Sequence, residues 1–521
     1  MLSRILTVGG LTLISRLTGF ARDIVLAAIL GAGPLADAFF VALRLPNHFR
    51  AIFAEGAFNA AFVPAYARVR GQAGPETAQL FADRIFTLLF AVEVALLALA
   101  LLFTPAVIGV LAPGLDPQRF ALATELTRIT FPYLLLVSLV TLYGGILNTL
   151  GRFASPAAAP ILLNLTMMVT LALAAWFPTA GYAAAWGVLI AGCLEALLVG
   201  GDAYRHGALP RFAVFRLDDD LRRFFKALGP AILGSAGTQI ALLADTIIAS
   251  LLPAGALSAL YYADRLNQLP IGVIGIAVGI VLLPEMASRL ADGDESGSRA
   301  AQDRAIELTL LLSLPCFVAF LLVPDLIMLA LFGRGAFTAA DAATAGATLA
   351  AYTIGLVPFV LARSLSATFL ARGDTATPVK ALAAGIVVNV ALKVLLMKPL
   401  AQVGLAFATS VGVWINVALL LWFALRARLI TFDERLRTSI WKLLLAAAVL
   451  ALAIWIGQRT IEPFVAHLPR FRSEAMLGAI ALVGAVAYVG AIVLLFDRKW
   501  FAAFRGQPAG ARRPVLPASA K

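Results

Sequence analysis

Charged side chains occur in this sequence where an apolar chain should not carry them. The run ISRLTGFARDIVLAAILGAG, residues 14–33, places Arg16, Arg22 and Asp23 inside a stretch otherwise long and oily enough to cross a bilayer. An arginine at the centre of a membrane helix costs about 2.5–3.5 kcal/mol on insertion scales. Arg44 and Arg50 lie in the next apolar stretch, and Arg265 lies in a much later one. These five residues cannot all face lipid, so their chemistry is that of a polar cavity within the membrane. The planar guanidinium fork suits bidentate contact with phosphate.

Carboxylates accompany the arginines. Asp23 follows Arg16 by seven residues and Asp37 precedes Arg44 by seven, which is two helical turns on one face. Glu55 follows Arg50 closely, and Asp264 adjoins Arg265. Set against five arginines, these four acids leave the cavity net positive, and Ser15, Asn47, Asn59 and Ser258 add neutral hydrogen-bonding groups. The ligand implied is anionic, bears phosphate and is handled at mid-membrane. Arg16 and Arg22 point about 120° apart on an ideal helix. Their convergence on one ligand needs a bend, and Gly19 is placed to give it.

A second constellation lies later in the chain. Asp245 and Lys393 are isolated opposite charges in separate apolar spans, with Asn389 one turn before Lys393. They form either a structural ion pair or an ion-coupling site at Asp245. In the second case the Lys393 ammonium sits where a bound sodium would, which argues against sodium coupling.

The elements that position these groups follow from composition. The chain has 521 residues, 61% hydrophobic and only 13% charged, too few charges to cover a soluble protein of this size, so it is a polytopic membrane protein. Fourteen apolar segments approach or exceed the ~20 residues a membrane helix needs. They run over 5–30, 35–66, 80–110, 121–150, 157–177, 181–201, 224–251, 256–287, 305–323, 343–370, 378–397, 402–425, 438–457 and 475–496. With both termini in the cytoplasm, the inward loops and the tail hold 25 Lys and Arg and the outward loops six, as the positive-inside rule requires. The net charge of +12 is thus mostly topology and gives no support for nucleic acid binding. Arg84 and Arg128 lie near span ends, where snorkelling accounts for them.

The chain also repeats itself. DIVLAAILGAG (23–33) lies over DTIIASLLPAG (245–255), setting Asp23 on Asp245. ADAFFVALRL (36–45) lies over SALYYADRL (258–266), setting Arg44 on Arg265, and three further matches keep an offset of 220–223 residues. Each copy holds six spans, so both enter the membrane from the same side, an architecture of secondary transporters with the substrate path between the halves. The expected organisation is a first six-span lobe over 1–205, a basic cytoplasmic linker over 206–223, a second lobe over 224–428, spans 13 and 14 over 438–497, and a basic tail over 498–521. The expected fold is all-α.

Enzyme signatures are missing: the sequence has no HExxH, GxSxG or GxxxxGK[ST]. Two cysteines and three scattered histidines offer no metal-ligand spacing, so neither a metal nor a cofactor is expected. Without an ATP site, work must come from ion gradients, membrane potential or substrate supply. A membrane-embedded glycosyltransferase would need a placed catalytic acid or base. A drug antiporter would commonly take cations, which a positive cavity disfavours. A flippase for another lipid-linked oligosaccharide is not excluded by cavity charge alone.

The segments ISRLTGFARD (14–23), ADAFFVALRLPN (36–47), FAEGAFNAAFVP (53–64), GPAILG (229–234), YYADRLNQLPIGVIGIAVG (261–279) and TPVK (377–380) resemble the MurJ (MviN) family. Its members are lipid II flippases of peptidoglycan synthesis, within the multidrug/oligosaccharidyl-lipid/polysaccharide transporter superfamily. The resemblance covers nearly the whole chain. It implies alternating access in the bacterial inner membrane, with lipid II as the partner and with roles for Ser15, Arg16, Arg22, Asp37, Arg50, Glu55 and Arg265. It also implies that spans 13 and 14 help form a groove for the undecaprenyl tail. Membrane lipids are expected partners, and the peptidoglycan-synthesis machinery is left open as one.

Overall fold

The computed structural model describes residues 2–49, 57–430, 433–467, 471–498 and 500–501. These are helical almost throughout, as the apolar runs dictate. The helices are α1 (Leu2–Leu30), α2 (Pro34–Phe49), α3 (Ala57–Leu102), α4 (Thr104–Leu111), α5 (Pro117–Thr130), α6 (Pro132–Thr149), α7 (Ala154–Ala172) and α8 (Ala180–Arg205). There follow α9 (Asp219–Ser250), α10 (Ala256–Ala291), α11 (Glu295–Leu322), α12 (Pro324–Phe332), α13 (Ala339–Thr353), α14 (Leu356–Leu370), α15 (Ala376–Arg426), α16 (Glu434–Val465) and α17 (Arg472–Leu495). Among the described residues, nine helical stretches are long and apolar enough to cross a membrane by length and composition. The α1 helix is not one of them, because Arg16, Arg22 and Asp23 crowd into it.

Helix ends follow capping chemistry. The Asp116, Asp218 and Asp433 carboxylates accept the N–H groups of Arg119, Leu221 and Leu436 at 2.9, 2.9 and 2.7 Å, starting α5, α9 and α16. Two long helices are pairs of rods. The α3 helix breaks at Gly74 (φ 86°, ψ 172°), just before Pro75, and α15 breaks at Ala401 (φ 46°, ψ −129°), two residues after Pro399. The second break separates the two apolar segments that meet there in the sequence.

The described chain forms two compact units. The first comprises Met1–Asn267, Pro324–Gly355 and Leu382–Ile415. In it α7 packs on α8 and α1, α2 packs on α5, and α3 packs on α6 and α9. Close approach of α7 and α8 depends on small residues: a Cβ on Gly187 would stand 3.1 Å from the Met167 Cα, and Ala183 and Ala191, one turn either side, are fully buried. The second unit comprises Gln268–Val323, Leu356–Ala381 and Asn416–Lys521. In it α11 packs on α14 and α16, and α16 packs on α17.

Candidate functional site

Asp23 is the hub of the first cluster, and the whole cluster lies in the first unit. One carboxylate oxygen accepts Arg22 Nη2 at 2.7 Å, Arg22 Nε at 3.1 Å and the Tyr261 hydroxyl at 3.1 Å. The other lies 3.6 Å from Arg265 Nε. Arg22 also donates through Nη1 to the Asn164 carbonyl oxygen at 3.0 Å, and the Asn164 amide donates in turn to the Ser15 carbonyl at 3.0 Å and the Thr18 hydroxyl at 3.1 Å. Arg22 and Asp23 are buried. Arg265 keeps 40% of its side chain exposed and lies over the Tyr261 ring, 5.0 Å from its centre. Tyr261 is itself stacked on Phe40 at 3.9 Å.

Two expectations fail here. The α1 helix passes Gly19 without a break, and the glycine instead admits Asn164, whose amide nitrogen would stand 3.4 Å from a Cβ at that position. Arg16 does not pair with Asp23. Its side chain is exposed and makes no hydrogen bond or ion pair among the described residues, while Asp23 is taken by its neighbour and by α10.

Asp37 also departs from its expected partner. Fully buried, it accepts the Gly255 and Ser258 backbone N–H groups at 2.7 and 2.9 Å and the Ser258 hydroxyl at 2.5 Å, so it caps the start of α10. Arg119 closes the site, donating to Asp37 at 3.2 Å and to Asp116 at 2.6 Å. Arg119 falls between two apolar segments of the sequence, among the six outward loop charges, yet it is buried. Asp116, in the loop before α5, is held below the usual carboxylate range, first by the Arg119 backbone N–H and then by its guanidinium. The repeat alignment sets Asp37 on Ser258, so these two repeat-equivalent residues touch each other.

The remaining charges form a second cluster in the same unit. Arg44 donates to the Thr246 hydroxyl of α9 at 3.3 Å. Next in sequence, Asp245 pairs with Lys393 of α15, which is 98% buried, and Arg44 and Asp264 lie close enough to act on its charge. Asn389, one turn away, leaves its buried carbonyl oxygen without a partner among the described residues. The two clusters are reciprocal. Asp23 of the first copy meets Arg265 of the second, and Arg44 of the first copy reaches α9 beside Asp245, the counterpart of Asp23.

Together the two clusters set Arg22, Arg265, Arg44 and Lys393 against Asp23, Asp245 and Asp264, a balance of +1 before Arg16 is counted, and Asp264 acts on both Arg265 and Lys393. The most exposed guanidinium of the first cluster is Arg265. Ser15 is half-buried beside that cluster and contributes its backbone carbonyl, and Asn47 is half-buried at the far end of α2. Arg50 and Glu55 lie outside the described residues. Asn164 and Tyr261 are the partners that sequence reasoning missed. In the second unit, α11, α16 and α17 enclose an apolar groove of about 350 Å³, lined by residues that include Pro315, Ala319, Ile454, Ile480, Gly484 and Tyr488.

A family model described as lipid II flippase MurJ matches residues 26–470. A probable lipid II flippase MurJ of Rhizobium tropici is 40% identical over 473 residues, 89% of this chain and 88% of its own length. The chain belongs to the MurJ family. A lipid II flippase MurJ of Burkholderia cenocepacia is 35% identical over 432 residues, covering 81% of this chain and 83% of its own length. Among solved structures, a lipid II flippase MurJ in an inward closed conformation superposes with a TM-score of 0.79 at 24% identity, over 94% of this chain and 98% of that one. An inward-facing multidrug resistance MATE transporter of the MOP superfamily gives 0.67 at 15% identity, over 81% and 98%. These superpositions carry the fold.

Proposed function

We propose that this chain translocates lipid II, the undecaprenyl-diphosphate-linked peptidoglycan precursor, from the inner to the outer leaflet of the bacterial cytoplasmic membrane by alternating access. The observation that carries this reading is the pair of guanidiniums, Arg22 and Arg265, that share the Asp23 carboxylate, buried on one side and open at Arg265. A diphosphate offers several acceptor oxygens. Arg265 holds Asp23 only at 3.6 Å and keeps 40% of its side chain exposed, Arg16 is unpaired among the described residues, and Arg22 is fixed in place by Asn164. As the diphosphate binds, it competes with Asp23 for Arg265. Binding and release thus exchange one charge-assisted contact for another rather than stranding a charge in a low dielectric. The apolar groove of the second unit suits the undecaprenyl tail, and the fourteen apolar segments suit two six-span lobes and two extra spans with both termini cytoplasmic. No step in this reading makes or breaks a covalent bond, so the chain acts as a transporter.

Lys393 on Asp245 supplies an internal cation at the second cluster, so the cycle has no need of bound sodium. The test is growth rescue of a strain depleted of its own lipid II flippase, in sodium-rich and in sodium-poor medium. Rescue in both is the expected result. No rescue in either, with the protein present in the membrane, overturns the lipid II reading, and rescue in sodium alone overturns the role given to Lys393.

A further inference from the structure

The basic segment between α8 and α9 is a strap laid along α3. Residues 208–218 form no helix. Gln79 Nε2 donates to the Leu209 carbonyl at 3.2 Å, and the Asp83 carboxylate and Thr87 hydroxyl accept the Arg211 and Ala213 N–H groups, each at 2.9 Å. Gln79, Asp83 and Thr87 lie one helical turn apart on one face of α3, so that face acts as a ladder for the strap backbone. Phe212 packs on Phe86 and Phe90 at 5.0 and 5.3 Å, and Asp218, at the far end, pairs with Arg84.

The strap presents large apolar side chains outward. Val214 is 89% exposed, Phe212 67%, and Phe215 and Leu217 48% each. Arg211 and Arg216 flank them, exposed and without an ion pair among the described residues. In water such a patch would be a liability.

Helix length fixes its depth. Beyond the Gly74 break, α3 continues to Leu102, about 42 Å at 1.5 Å per residue against a hydrocarbon core of about 30 Å. Apart from the buried Glu93, the charges of this rod (Glu76, Asp83 and Arg84) lie at its start, so the excess belongs there and Asp83–Phe90 falls at the level of headgroups and upper acyl chains. Farther along α3, Val92, Val94, Leu96 and Leu99 are also exposed, so the apolar face of the strap continues the lipid-facing surface. At that depth an extended backbone needs internal partners, which Asp83 and Thr87 provide.

We propose that residues 208–217 are a membrane-interface anchor, seating Phe212, Val214, Phe215 and Leu217 among the acyl chains and Arg211 and Arg216 on anionic lipid headgroups. The occupant is the bilayer surface itself, recognised by apolar area and phosphate charge together. The inference does not depend on which substrate is carried. Because Asp218 both starts α9 and holds Arg84, the anchor also fixes where α9 begins.

The test uses the full chain in nanodiscs containing anionic phospholipid. Cys193 and Cys316 are replaced by Ala, and an environment-sensitive fluorophore is attached at Val214→Cys or, as a control, at the exposed loop position Asp292→Cys. The expected result is blue-shifted emission at 214 and severalfold stronger quenching there than at 292 by lipids carrying a nitroxide high on the acyl chain. Charge reversal in R211E/R216E should reduce that quenching, and most strongly where the anionic lipid fraction is high. Nitroxide quenching at 214 equal to that at 292, with ready quenching by iodide in solution, overturns the proposal and leaves the patch to a soluble partner. Folding of each labelled variant is checked by its elution as a single species.

Discussion

Arg265→Ala is expected to abolish growth rescue while the protein still accumulates in the membrane with a thermal midpoint near that of the parent. Little of the fold rests on this side chain. Its contact with Asp23 is long, at 3.6 Å, and 40% of the side chain is exposed, so the pair contributes only about 0–1 kcal/mol to stability. Asp23 keeps both Arg22 bonds and the Tyr261 hydroxyl after the change. Transport loses much more. Hydrogen bonds to a charged group contribute about 1.5–3 kcal/mol each, so loss of a bidentate grip lowers diphosphate affinity by about two to four powers of ten. Arg265→Lys is expected to recover only part of the activity, because an ammonium restores the charge but not the fork. Arg22→Ala is the less clean experiment. It removes a buried partner from both Asp23 and Asn164, so stability and transport fall together. Rescue at the parental level by Arg265→Ala would count against a phosphate grip at this cluster.

Asp37→Ala is expected to fail earlier, at the fold. Four donors converge on this buried carboxylate: two backbone N–H groups at the start of α10, the Ser258 hydroxyl and Arg119. Its removal uncaps α10 and leaves the Arg119 guanidinium buried with Asp116 alone. Removing one partner of a buried pair costs about 3–5 kcal/mol, a large share of what holds a domain folded. The measurement is the thermal midpoint of the detergent-purified variant, which should fall sharply, with most of the protein lost in the membrane fraction. Asp37→Asn keeps an acceptor for the α10 N–H groups but removes the charge facing Arg119, so its midpoint should lie between those of the parent and Asp37→Ala. A midpoint unchanged by Asp37→Ala would show that Asp37 does not hold α10.

Much of this arrangement was legible before any coordinates. Apolar length gave the helices, and the duplication matched Asp23 with Asp245 and Arg44 with Arg265, residues that the fold brings into two reciprocal clusters. The Asp245–Lys393 pair was one of the two outcomes left open by isolated opposite charges. What escaped notice was partner choice. Helical spacing joined Arg16 to Asp23 and Asp37 to Arg44, but each of these acids found a stronger set of donors across the fold, on α10 and, for Asp37, on α5 as well. Asn164 lies 142 residues from Arg22, and a single asparagine in an apolar run carries no signal that it will meet an arginine. Gly19 could mark either a bend or a close approach. Which of the two applies depends on the neighbour, here Asn164, and the neighbour is not written in the local sequence. In the sequence the strap is only a basic linker, because the alternation of phenylalanine and arginine gains meaning once Asp83 and Thr87 hold its backbone.

The most direct test of the central claim is the amount of lipid II accessible on the outer leaflet of the cytoplasmic membrane after depletion of this protein, in cells whose other flippases have been removed. Translocation by this chain predicts that accessible lipid II falls towards zero while total lipid II rises. It also predicts that the parent chain, but not Arg265→Ala, restores the outer pool. Outer-leaflet lipid II that stays at its normal level through depletion would contradict the account.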